Sequence, residues 1–149
     1  RSFWMDRGIF DNPIAAGPNN FLYTQETGFD DDGSALTAYV ESSQMDIGDG
    51  EQFSFIKRMI PDITFRGSTA GSPSAVMTLK TRNFPGGNYL QTEDSTVTKS
   101  ASSPVEQFTD QVHVRLRGRS FAFRIESTAS GVGWRLGSPR VDIRPDGRR

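Results

Sequence analysis

Apolar and polar positions alternate most regularly between Gln111 and Ser127. Val112, Val114 and Leu116 alternate with Gln111, His113, Arg115 and Arg117; Phe121, Phe123 and Ile125 then alternate with Ala122, Arg124 and Glu126. A period of two is that of a β-strand with one buried face. The break at Gly118-Arg119 predicts a hairpin whose Gly supplies the positive φ of a type II′ turn. In that register Leu116 faces Phe121, Val114 faces Phe123 and Val112 faces Ile125, so each apolar residue meets another. The same register sets His113 opposite Arg124 and Gln111 opposite Glu126, with Arg115 beside them on the polar face.

Shorter runs of the same kind follow elsewhere. Phe53–Ile56, Ile63–Phe65 and Met77–Lys80 read as strands, Thr37–Val40 and Tyr89–Gln91 as weaker ones, and Trp134–Leu136 and Val141–Ile143 as two more. Each is bounded by Gly, Pro, Asn or Asp, and no window keeps an apolar stripe at helical spacing. Some seven to nine short strands predict an all-β domain: a β-sandwich, with a jelly roll as the candidate winding. Residues 1–35 carry turn residues at every few positions, including Asn12-Pro13, Gly17-Pro18 and Asp30-Asp31-Asp32-Gly33, and read as an extended arm or linker ahead of a domain over residues 36–149. Ser95–Pro104 reads as a Ser/Thr-rich loop.

Composition narrows the chemistry. A chain of 149 residues is long enough for one core. The absence of Cys removes disulfides, thiolate nucleophiles and Cys-ligated metals. No apolar run approaches the roughly 18 residues of a helical membrane span. The opening Arg1-Ser2-Phe3-Trp4 lacks an initiator Met, which reads as a piece of a longer polypeptide. The one histidine, His113, stands at an outward strand position, where a surface role is expected. Two Asp/Gly-rich loops, Asp30–Gly33 and Asp46–Glu51, are oxygen-rich enough to suggest Ca²⁺, but neither has EF-hand spacing, and turns that tolerate unusual backbone angles are the expectation. A carboxylate pair drawn from Glu51, Glu93 and Asp94 would suit glycoside hydrolysis, a weaker alternative. No cofactor is expected.

Charge is distributed unevenly. Residues 1–50 hold nine acids and two bases, whereas residues 111–149 hold nine Arg and three acids. Arg115, Arg117, Arg124, Arg140, Arg144, Arg148 and Arg149 are the candidate interface residues. They suit carboxylates, within the subunit or across an interface. Phosphate contacts are the alternative, less favoured because the aromatic residues lie on the opposite face of the strands from the Arg side chains.

Three segments carry a family resemblance: Met45–Asp62, Val112–Arg119, and the ending Gly133–Arg149 with its Trp134-Arg135-Leu136-Gly137-Ser138-Pro139-Arg140 and Asp146-Gly147-Arg148-Arg149. Over residues 36–149 the chain resembles the C-terminal region of tail hub or nozzle proteins of short-tailed bacteriophages, also called packaged-DNA stabilisation proteins. The resemblance implies a non-enzymatic virion component of the tail, present as a ring of copies beside other tail proteins, through which DNA is retained and later ejected. It implies no membrane and no catalytic residue. A different expectation, independent of the resemblance, is a glycan-binding sandwich that uses exposed aromatics such as Trp4, Tyr23 or Tyr89.

Overall fold

A computed structural model describes residues 2–92 and 94–148. It is all-β, without a helix among the described residues. In chain order the strands are β1 (Phe3–Met5), β2 (Ile14–Ala16), β3 (Leu22–Thr24), β4 (Asp30–Asp31), β5 (Ser34–Ala35), β6 (Ala38–Glu41), β7 (Met45–Asp46), β8 (Ser54–Ile60), β9 (Ile63–Thr64), β10 (Ser74–Arg82), β11 (Ser100–Glu106), β12 (Val112–Gly118), β13 (Ser120–Ser127), β14 (Arg135–Leu136) and β15 (Arg140–Pro145).

Two antiparallel sheets form the sandwich. One has the order β11-β10-β13-β6, with β7 also on the β13 edge, and the other the order β12-β8-β15. β6 and β7 are one edge strand broken at Ser42, which inserts between them: its N–H donates to the Phe123 carbonyl (2.9 Å) and its hydroxyl accepts from the Phe123 N–H (3.0 Å). Among these seven strands only the β10–β11 connection stays within a sheet. All the others cross the sandwich, which is the winding of a jelly roll.

In β12 the inward positions are those the alternation marks, and in β13 Phe121 and Ile125 are, although Ala122 on the other side is buried as well. Ile56, Met59, Met77, Leu79, Val105, Val112, Val114, Leu116, Phe121 and Ile125 form the core, with Trp134 packed at its margin and its indole N–H donating to Ser127 Oγ (2.9 Å). Ile56 and Met59 are three residues apart yet share this core. A β-bulge beside Lys57 makes that possible: the β8–β12 register shifts between His113 and Leu116, and the β8–β15 register between Asp142 and Ile143.

The predicted hairpin does not form. β12 pairs with β8 and β13 lies between β10 and the β6/β7 edge, so the two apolar stripes meet across the core between sheets, not side by side within one. His113 pairs with Arg58 instead of Arg124. Gly118 is not at positive φ. It is needed because the crossover passes close to β10: a Cβ there would lie 2.7 Å from Thr81 Cβ and 2.8 Å from the Arg82 carbonyl oxygen.

Two further expectations are corrected. The Ser/Thr-rich loop ends in a seven-residue edge strand, β11, whose Ser102 hydroxyl bonds that of Thr78 (2.8 Å). Only Ala101 and Val105 of β11 help build the core, and an edge position accommodates Pro104. Tyr89–Gln91 contributes no strand, only a bridge from Leu90 to Thr98. Within the first 35 residues, read as an extended arm or linker, the chain forms short strands. β1, β2 and β3 form a three-stranded meander paired only with itself, followed by the β4–β5 hairpin.

Candidate interaction surfaces

The meander has two unequal faces, because residues directly opposite in an antiparallel sheet share a face. Trp4, Ala15 and Tyr23 line up on one, and Ala15 is only 1% exposed between its two aromatic neighbours. Trp4 Nε1 donates to Asp6 (2.5 Å), and Asn19 donates to the Tyr23 hydroxyl (2.6 Å). The other face aligns Phe3, Ala16 and Leu22, then Met5, Ile14 and Thr24. Here Phe3 is 60% and Leu22 73% exposed, and Ile9, Phe10 and Phe21 in the connecting turns are also exposed. Apolar surface on three-residue strands lies open.

The arm is fixed to the sandwich farther along. The Phe29 ring lies over Gly133, where a Cβ would come within 2.4 Å of it, and Asp30 Oδ1 accepts from the Gly131 N–H (2.5 Å). An open cleft of about 870 Å³ separates meander and hairpin, lined by Tyr23, Glu26, Asp30, Asp31, Asp32 and Thr69 among others. Glu26 is engaged by Arg7 at 3.2 Å. Among the described residues no three or more His, Cys, Asp or Glu gather as metal ligands, including at the two Asp/Gly loops. Asp46 instead pairs in the sheet with Ser120. Glu93 lies outside the described residues.

The sandwich divides the arginine set. Arg117, Phe55 and Arg144 form one row on the outer face of β12-β8-β15, and His113, Arg58 and Asp142 form another, with exposed Arg115 and Lys57 between the rows. Arg58 bonds Asp142 (3.3 Å) and Gln111 (3.2 Å), and Arg117 pairs with Asp146. Among the described residues Lys57, Arg115 and Arg144 have no ion-pair partner. At the end of this face the guanidinium groups of Arg117 and Arg119 lie 4.0 and 4.8 Å from the centre of the Phe53 ring. Beside them Lys99, bonded to Asn83 Oδ1 (2.6 Å), has its pKa lowered by burial and by the charge of Arg117. Arg148 offers its carbonyl to Arg119 (3.3 Å). Arg140 opens β15 opposite Ile60, away from this end, and Arg149 lies outside the described residues.

Arg124 belongs elsewhere. On the outer face of the other sheet it bonds Glu126 and Glu41 (3.0 Å to the latter) and lies 4.0 Å from the centre of the Tyr39 ring. Lys80 adds a 2.8 Å bond to Glu41. The bond to Lys80, then that to Arg124, hold the Glu41 carboxyl below its usual pKa, while the bond to Glu126 and then that to Glu41 raise that of Arg124. The expected pairing of C-terminal Arg with N-terminal acid is therefore seen at Arg124 and Glu41. It is not seen at Arg115 or Arg144.

Lys57 and Arg58 extend the basic face but fall outside the Arg-rich C-terminal segment, and the pairing of β8 with β12 and β15 unites them with it. The apolar face of the meander was accessible to sequence reading through Phe3-Trp4-Met5 and Ile14-Ala15-Ala16, which the surrounding turn residues obscured. No family model and no curated protein matches the chain.

Proposed function

We propose that this chain is a non-enzymatic assembly domain that docks to neighbouring proteins, and that the assembly is the tail of a short-tailed bacteriophage, where it contributes to retaining and ejecting packaged DNA. The phage assignment draws on the resemblance carried by residues 36–149. The docking role is supported by the meander, which presents Phe3, Met5 and Leu22 on an unpartnered sheet face. Three strands of three residues have too little buried surface to persist alone, and an exposed apolar patch of this kind calls for a cover. Gold-labelling this domain in intact virions, followed by electron microscopy, tests the assignment. Label at the tail is the expected result; label on the capsid shell, or none on the particle, would sink it.

A second reading has one observation in its favour. The cleft beside Tyr23, with Glu26 and Asp30–Asp32 along it, combines an aromatic ring with several carboxylates, as a sugar site does. Titration with host-surface oligosaccharides separates the two readings, because saturable binding lost on Tyr23→Ala would favour glycan recognition. No binding is expected.

A further inference from the structure

We infer that the basic outer face of β12-β8-β15 receives the acidic N-terminal arm, residues 1–35, of a second copy of this chain, in a head-to-tail arrangement. This rests on the assembly reading and names the partner. Residues 1–35 contain six acids and two bases, and one of those bases, Arg7, is already engaged by Glu26. The receiving face carries Lys57, Arg58, Arg115, Arg117 and Arg144 against Asp142 and the neighbouring Asp146. The two surfaces are opposite in charge, and three of the cations lack an ion-pair partner among the described residues.

The apolar side chains fit the same pairing. Arginine in this protein repeatedly packs on aromatic rings: Arg82 lies 4.1 Å from the centre of Tyr89, Arg117 4.0 Å from Phe53 and Arg124 4.0 Å from Tyr39. The arm exposes Phe3 and Phe10 close in sequence to Asp6 and Asp11, and Phe21 beyond them. Ring and carboxylate together match a guanidinium face through stacking and charge-assisted hydrogen bonds. A duplex nucleic acid satisfies only the charge, and Asp142 and Asp146 would stand against its phosphates. The contact joins two different patches, so a pair of copies retains one free donor and one free acceptor, and association can continue.

The test uses sedimentation velocity of the full chain at low and high salt. Wild-type chain should self-associate at high micromolar concentration, less so as salt rises. Arg115→Glu with Arg144→Glu removes the acceptor, and the neutral pair Asp6→Asn with Asp11→Asn removes the donor while leaving Trp4 an amide oxygen to bond. Both pairs of residues are exposed, so each variant should keep the wild-type melting temperature while associating roughly tenfold more weakly or worse. Mixed together, the acceptor-defective and donor-defective chains should give a one-to-one dimer that grows no further, because one competent contact remains. A monomeric wild-type chain, or association unchanged in both variants, would overturn the proposal. So would salt-dependent binding of duplex DNA that Arg115→Glu with Arg144→Glu abolishes. In any of these cases tail labelling still decides the assembly reading independently.

Discussion

Val114 shows how one side chain can be assigned correctly while its neighbour is not. Its inward alternation was legible, and it is 7% exposed in the core, but it packs between sheets and does not pair with Phe123. Val114→Asp places an unpaired carboxylate there and should remove about 3 kcal/mol or more of stability, read as loss of the cooperative melt. Gly118 differs, since its need is space and not a backbone angle. Gly118→Ala should cost about 1–3 kcal/mol, because both the Thr81 side chain and the Arg82 carbonyl belong to a strand that cannot yield. An unchanged denaturant midpoint would show that the crossover relaxes. Glu41 sets a pH dependence. Its folded pKa lies below the unfolded one, so the stability it adds is present above about pH 4.3 and is lost as pH falls through the folded value. In Glu41→Gln, the acid limb of the stability curve should be shallower than in wild type.

At the scale of elements, the alternating segments declared themselves because each supplies bulky residues to one buried face. β11 did not, since an edge strand of Ser, Ala and Pro owes its existence to the β10 ladder. β12 and β13 were found as strands and mispaired, because alternation specifies which way side chains point and not which strand takes the hydrogen bonds. The same ambiguity placed Arg124 with Arg115 and Arg117, whereas the sheets put them on opposite outer surfaces. Lys57 and Arg58 became part of the basic face only through β8. Asp32-Gly33 and the stretch after Asp46 turn through positive φ at Asp32, Gly33, Gly48 and Gly50, and Asp30 is committed to Gly131. Adding EDTA should therefore leave the melting temperature within a degree or so of its starting value; a fall of many degrees would assign one of these loops a bound cation.

For the whole molecule, the jelly-roll winding has a consequence for how the chain reaches its fold. The β6/β7 edge waits for β13, and β8 waits for both β12 and β15, so each sheet needs strands from distant parts of the sequence. Only the β10–β11 pair is a hairpin within a single sheet of the sandwich. Loop closure must therefore precede most of the favourable contacts, which places refolding in the slow range of milliseconds to seconds. In a chain emerging from the ribosome β8 is left with an open edge until Arg140–Pro145 is made. Removing β15 should therefore yield aggregation in the cell, not merely a weaker domain, since an unpaired edge beside exposed core is a template for other chains.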